Sequence, residues 1–329
     1  MVSKPTTDST VPSVARTGWR LLTAPVWNHE QKRLRSPLRA LLPLVVTFVA
    51  LAVLLSPVRD QFNHPLRESV ELLVLLTVLV GGILLSGKVF DRRPIAEYGL
   101  VIDRTWLRSF AVGGLIGTVV NAGTFLVALS VGWVSVVDVA RGGGELPFLL
   151  AVVLTFAMIA VAASWEEFVF RGAMLKNLAE GADGYLPRWA AVGIALGLST
   201  GVFAFMHASK VASLGGYGYY LLAGFIFGCV YALTGDLGLP IGFHAFYNFS
   251  MSVIFGLGVS QRTPELFVLN VTGPTVWVGE EGLLRVVFAA VGGLLLVAYI
   301  RWRDGPLGIT ARILSSTNTN PVQNPENVQ

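Results

Sequence analysis

Cysteine, histidine and charge are all scarce in this 329-residue chain. A single cysteine, Cys229, excludes any intramolecular disulfide and any zinc site built from cysteines. Lying in an apolar run, it is expected to be a buried, inert thiol. Charged residues make up 13% of the chain and hydrophobic residues 53%, whereas a soluble domain carries about 25% charged residues. Much of the surface must therefore face lipid, and mean hydropathy of +0.66 agrees. The net charge of +4 comes from basic residues gathered at the ends and in a few loops. No basic stripe interleaved with aromatics is present, which argues against nucleic acid and for contact with lipid headgroups.

Apolar runs long enough to cross a bilayer, for which about 20 residues are needed, fall near 40–57, 70–87, 110–132, 148–170, 189–207, 217–234, 238–257 and 284–301. The fold class expected is all-α, a polytopic transmembrane bundle of about eight spans. Residues 1–36 are polar and expected to be disordered, 37–312 form the helical domain, and 313–329 make a second disordered tail. The first run follows a long basic lead and reads as a retained anchor rather than a cleaved signal. Arg16, Arg20, Lys32, Arg33, Arg35 and Arg39 before it, Lys88, Arg92, Arg93, Arg104 and Arg108 in one loop, and Arg301 and Arg303 at the end place both termini in the cytoplasm. Small residues spaced by four (Gly113 and Gly117; Gly193, Gly197 and Gly201; Gly224 and Gly228) are expected to pack helices closely.

Against this background a few polar residues need explaining. Span four ends in Trp165-Glu166-Glu167-Phe168-Val169-Phe170-Arg171. Each carboxylate at membrane depth costs about 2.5–3.5 kcal/mol. Glu167 can pair with Arg171 one turn on; Glu166 points about 100° away and is left to face something else. His207 closes span five, and His244 and Asn248 share one face of span seven. Each element has a bland explanation: a charged helix end, an interfacial histidine, an interhelical hydrogen bond. Together they form a hydrolytic set, with a Glu–His pair to polarise water and a His–Asn pair to hold an oxyanion.

The order Glu166-Glu167-x-x-x-Arg171, Phe203-x-x-x-His207 and His244-x-x-x-Asn248 resembles the CPBP family of intramembrane endopeptidases, which includes the type II CAAX prenyl proteases and bacteriocin-processing proteins. The likeness covers roughly residues 90–255, with Arg93-Pro94 and Glu97-Tyr98-Gly99-Leu100 as a weaker part. It implies cleavage of a membrane-anchored or prenylated peptide substrate. Glu166 and His207 would activate water, His244 and Asn248 would hold the oxyanion, and Glu167, Arg171 and Phe203 would support them. No cofactor is expected. Zinc on Glu166, His207 and His244 is the alternative, since two histidines and a carboxylate can make a catalytic zinc set. As counted, spans four and five leave Glu166 and His207 near opposite membrane faces.

Three rival readings remain on the sequence. Gly197-Leu198-Ser199-Thr200-Gly201 matches G-x-S-x-G literally, yet that motif needs a strand–turn–helix elbow and here lies in an apolar helix. Intramembrane carboxylates also make proton relays in transporters, although no internal repeat supports one. A scaffold that lost activity is the third. Membrane lipids are the expected surroundings and a prokaryotic plasma membrane the expected location; nothing in the sequence sets an oligomeric state or a substrate.

Overall fold

A computed structural model describes residues 23–63, 66–142, 144–211, 213–258 and 263–314. The expected polar stretches over 1–22 and 315–329 lie outside the described residues. Eight helical rods follow one another: α1 (Ser36–Gln61), α2 (Leu66–Leu85), α3 (Arg104–Ser130), α4 (Phe148–Ala182), α5 (Arg188–Met206), α6 (Leu214–Thr234), α7 (Gly238–Phe249) and α8 (Leu283–Asp304). Their ends follow local chemistry. Pro37 opens α1, where its preset φ suits a first turn. The Asp103 carboxylate accepts from Trp106 N at 2.8 Å to cap α3, and Ser213 Oγ accepts from Gly216 N at 3.1 Å to cap α6. Gly235 at φ +64° ends α6.

Seven of these rods are long and apolar enough to cross a membrane, and the protein is a multi-pass integral membrane protein. Large apolar side chains such as Leu73, Leu115, Leu149 and Leu294 stand fully out on the helix faces, where lipid rather than water suits them. α7 is the exception. With the π turn Ser250–Ile254 that continues it, it is the shortest of the eight, and nearly all of it is buried.

α7 sits at the centre, against α3. A Cβ on Gly113 would lie 2.2 Å from Leu239 O, and one on Gly117 would lie 2.7 Å from Phe243 O. The two backbones are in contact there, as the small-residue spacing predicts. The same expectation fails for α5. A Cβ on Gly193, Gly197 or Gly201 would meet nothing within 4 Å, so that stripe faces away from the bundle. The close approach of α5 and α6 uses Gly224 and Gly228 of α6 instead, against Thr200, Phe203 and Leu196.

The structure adds two features to the all-helical expectation. Residues placed in loops pair as antiparallel strands: β3 (Val134–Arg141) with β4 (Glu265–Val271), besides a two-residue ladder of β1 (Trp27–Asn28) with β2 (Arg33–Leu34). The second feature is a buried ionic cluster where α1, α2 and α4 meet. Asp91 takes Arg33 at 2.9 Å, Arg93 at 3.1 Å, Arg39, and the Tyr98 hydroxyl at 2.9 Å. Arg93 also forks onto Glu180 with two bonds of 2.7 Å, and Lys176 lies 3.4 Å from the same carboxylate. Arg33, Arg39 and Arg93, counted above toward topology, are thus buried side chains. Cys229, expected to be buried, is half-buried and free.

Candidate active site

Glu166 and Glu167 lie near the middle of α4, not at its end. The helix runs on through a π turn (Phe168–Leu175) and a last α-helical stretch (Lys176–Ala182) for 35 residues in all, about 50 Å at 1.5 Å per residue. The expected limit near 170 was therefore too short. Arg171, Lys176 and Glu180 look like the polar end of a span in sequence, but each is buried and paired. This correction brings Glu166 and His207 together, because α5 ends where expected, at Met206, and His207 caps it. A π turn inside an α-helix is rare and recurs at functional sites.

The two adjacent carboxylates part ways as the helix geometry requires. Glu167 is fully buried; its Oε1 accepts from Arg171 Nη1 at 3.2 Å and from His244 Nδ1 at 2.8 Å. It is therefore a bridge between α4 and α7, not only the partner of Arg171. Arg171 also donates to Gly224 O at 3.3 Å and lies over the rings of Phe203 at 4.5 Å and Phe227 at 5.2 Å. Glu166 turns the other way. Its Oε2 is buried without a hydrogen-bond partner, 3.8 Å from His207 Nε2 and 3.9 Å from His244 Nε2.

The two imidazoles are held from behind by different groups. His207 Nδ1 donates to the Phe203 carbonyl at 2.8 Å; a carbonyl only accepts, so the neutral ring carries its proton on Nδ1 and a lone pair on Nε2. Behind His244 Nδ1 stands the Glu167 carboxylate. When His244 holds a second proton, Nε2 becomes a donor and the positive ring faces that carboxylate, the role a buried acid plays in a catalytic triad. Asn248 follows His244 by one turn of α7, half-buried, with no side-chain hydrogen bond among the described residues. Phe203 is buried and touches the His207 ring at 4.5 Å, so its backbone and its ring both serve the site.

Two aromatic residues were not foreseen. Tyr220 stacks on His207 at 4.4 Å and 22°, and Phe227 stacks on His244 at 5.2 Å and 20°. With Gly224 they fall at i, i+4 and i+7 on one face of α6, a spacing visible in sequence but indistinguishable there from ordinary packing. Ser199 is buried and donates to Phe170 O at 2.6 Å, which ties its hydroxyl to the π turn of α4. A cavity of about 1100 Å³ opens elsewhere, between Asp103, Arg108, Asp236, Arg303 and Arg312, and holds none of the residues above. Among the described residues no group of three His, Cys, Asp or Glu is arranged to hold a metal ion.

Residues 147–250 match the protein-family model described as Type II CAAX prenyl endopeptidase Rce1-like, in agreement with the resemblance read from the motifs. That stretch contains Glu166, Glu167, Arg171, Phe203, His207, His244 and Asn248 and ends before α8. Searches of curated proteins and of solved structures each gave no match.

Proposed function

We propose that this chain is an intramembrane endopeptidase that cuts a peptide bond of a membrane-associated substrate, prenylated or leader-peptide-like, by means of a water activated by Glu166. One observation carries the reading: a buried, unpartnered carboxylate oxygen faces two imidazole Nε2 atoms at 3.8 and 3.9 Å. A water at ordinary hydrogen-bond length from each of these atoms spans such gaps. Glu166 accepts its proton while His207, with the Nε2 lone pair turned inward, orients it. The tetrahedral oxyanion is held by Nε2–H of protonated His244 and by the Asn248 amide, donors fixed in place before charge develops. Glu166 then delivers the proton to the leaving amine.

Zinc on Glu166, His207 and His244 fits less well. Asn248, one turn from His244, is a poor zinc ligand but a good oxyanion donor. A serine mechanism would need Ser199 beside a histidine, and its hydroxyl is spent on Phe170. The Lys and Arg pattern supports cytoplasmic termini.

The test is a deletion strain complemented with wild-type or Glu166→Ala protein, followed by mass spectrometry of membrane peptides. Peptides left unprocessed in both the deletion and the Glu166→Ala strain, and processed with wild type, are expected. Identical profiles in the three strains would sink the reading.

A further inference from the structure

Arg285, in the first turn of α8, lies outside the matched stretch and has no part in the chemistry above. The buried arginines each meet a carboxylate: Arg33, Arg39 and Arg93 meet Asp91, and Arg171 meets Glu167. Arg285 meets none among the described residues. Instead its guanidinium carbon lies over Tyr219, 3.7 Å from the ring centre, with the Tyr247 ring at 5.9 Å. Nε donates to Tyr247 Oη at 3.4 Å and Nη1 to Glu280 O at 2.5 Å. These contacts fix the plane of the fork and leave its charge unanswered. A half-buried guanidinium in a membrane bundle that makes no ion pair among the described residues is a candidate binding group.

The position of the fork says what it is for. Tyr219 touches Tyr220 at 5.3 Å, and Tyr220 stacks on His207 at 4.4 Å. Tyr247 stands in α7 between His244 and Asn248. From the guanidinium to the His207 ring there are three ring-to-ring steps, of 3.7, 5.3 and 4.4 Å. End to end they equal the reach of about four extended residues. Beside Arg285, among Asn121, Thr124, Met251, Trp277 and Leu284, there is a cavity of about 20 Å³, room for about one water.

We propose that Arg285 binds a carboxylate of the substrate peptide, no more than about four residues from the bond that is cut. The planar fork suits a carboxylate through two parallel hydrogen bonds, and the tyrosines hold it ready without neutralising it. The inference deepens the proteolytic reading and rests on it for the word substrate, but its test needs no cleavage.

Three dansylated, S-farnesylated peptides serve as probes: one with a free C-terminus, one amidated, and one amidated with an internal aspartate at the same spacing. Their binding to the Glu166→Gln protein in phosphatidylcholine nanodiscs is read by fluorescence anisotropy. A peptide bearing a carboxylate should bind at least about ten-fold tighter than the neutral one, the increment of one charge-assisted contact. The free-acid and aspartate arms tell which carboxylate is used. Adding Arg285→Gln should erase the difference, and Arg285→Lys, which keeps the charge, should restore part of it. Equal binding of charged and neutral peptides, no binding of any, or a preference that survives Arg285→Gln would overturn the proposal. So would loss of the preference in phosphatidylglycerol nanodiscs, which would assign the fork to a lipid phosphate. A protein that binds with this preference yet cuts nothing would leave Arg285 in place and refute the proteolysis alone.

Discussion

Side by side on one helix, Glu166 and Glu167 have opposite fates, and the 100° between successive residues is the cause. Glu167 is turned inward and committed to two partners; Glu166 keeps an oxygen for chemistry. In the proposed mechanism Glu167 acts through His244, as a positioning residue. Glu167→Gln keeps the shape but lets its side-chain amide face His244 Nδ1, so the ring loses its opposing charge and its tautomer is no longer fixed. Turnover measured on purified protein should fall about 10²- to 10⁴-fold, the range for a disturbed acid–base group, with KM nearly unchanged. A fall in affinity with turnover intact would contradict this role. The water mechanism also predicts that exhaustive chelation leaves activity in place and that purified protein carries no stoichiometric zinc by elemental analysis. Activity lost on chelation and regained with zinc would favour the metal.

At the scale of the helix, most of the candidate site was legible because a polar or ionisable side chain in an apolar run is costly and cannot hide. Glu166, His207, His244 and Asn248 are visible for that reason. The true length of α4 was not legible, for the same reason turned round: Arg171, Lys176 and Glu180 end a run of hydropathy, and only their partners on other elements show that they are buried. Strands β3 and β4 were missed because alternation in a loop between two apolar spans carries little weight beside the spans. Glycine spacing proved a partial guide. It marks the contact of α3 with α7 but has no packing consequence in α5. Gly113→Val should therefore cost about 1–3 kcal/mol or more by overpacking, whereas Gly197→Ala should be neutral or stabilise by up to about 1 kcal/mol. Unfolding of both variants in mixed micelles would check the pair. Equal costs would mean that the α5 stripe is covered after all.

In the whole molecule, the ionic cluster ties the N-terminal ladder, α1, the end of α2 and the extension of α4 into one body. Four basic groups share two carboxylates there, so removing one acid leaves several buried cations poorly compensated. Glu180→Ala should cost about 3–5 kcal/mol, the usual penalty for breaking a buried pair from one side, again by unfolding in micelles. A cost below about 1 kcal/mol would mean that water reaches the cluster. The continuity of α4 gives the cluster a second consequence, because the helix it anchors is the one that carries Glu166.

The central claim is that Glu166 activates the water that cuts a peptide bond within this bundle. Its most direct measurement uses purified wild-type, Glu166→Gln and Ser199→Ala proteins in liposomes with an S-farnesylated reporter peptide, and products identified by mass spectrometry. Wild type and Ser199→Ala should each make one defined cut, and Glu166→Gln none although it folds and binds the peptide. Undiminished cutting by Glu166→Gln, or cutting that disappears with Ser199→Ala, would contradict it.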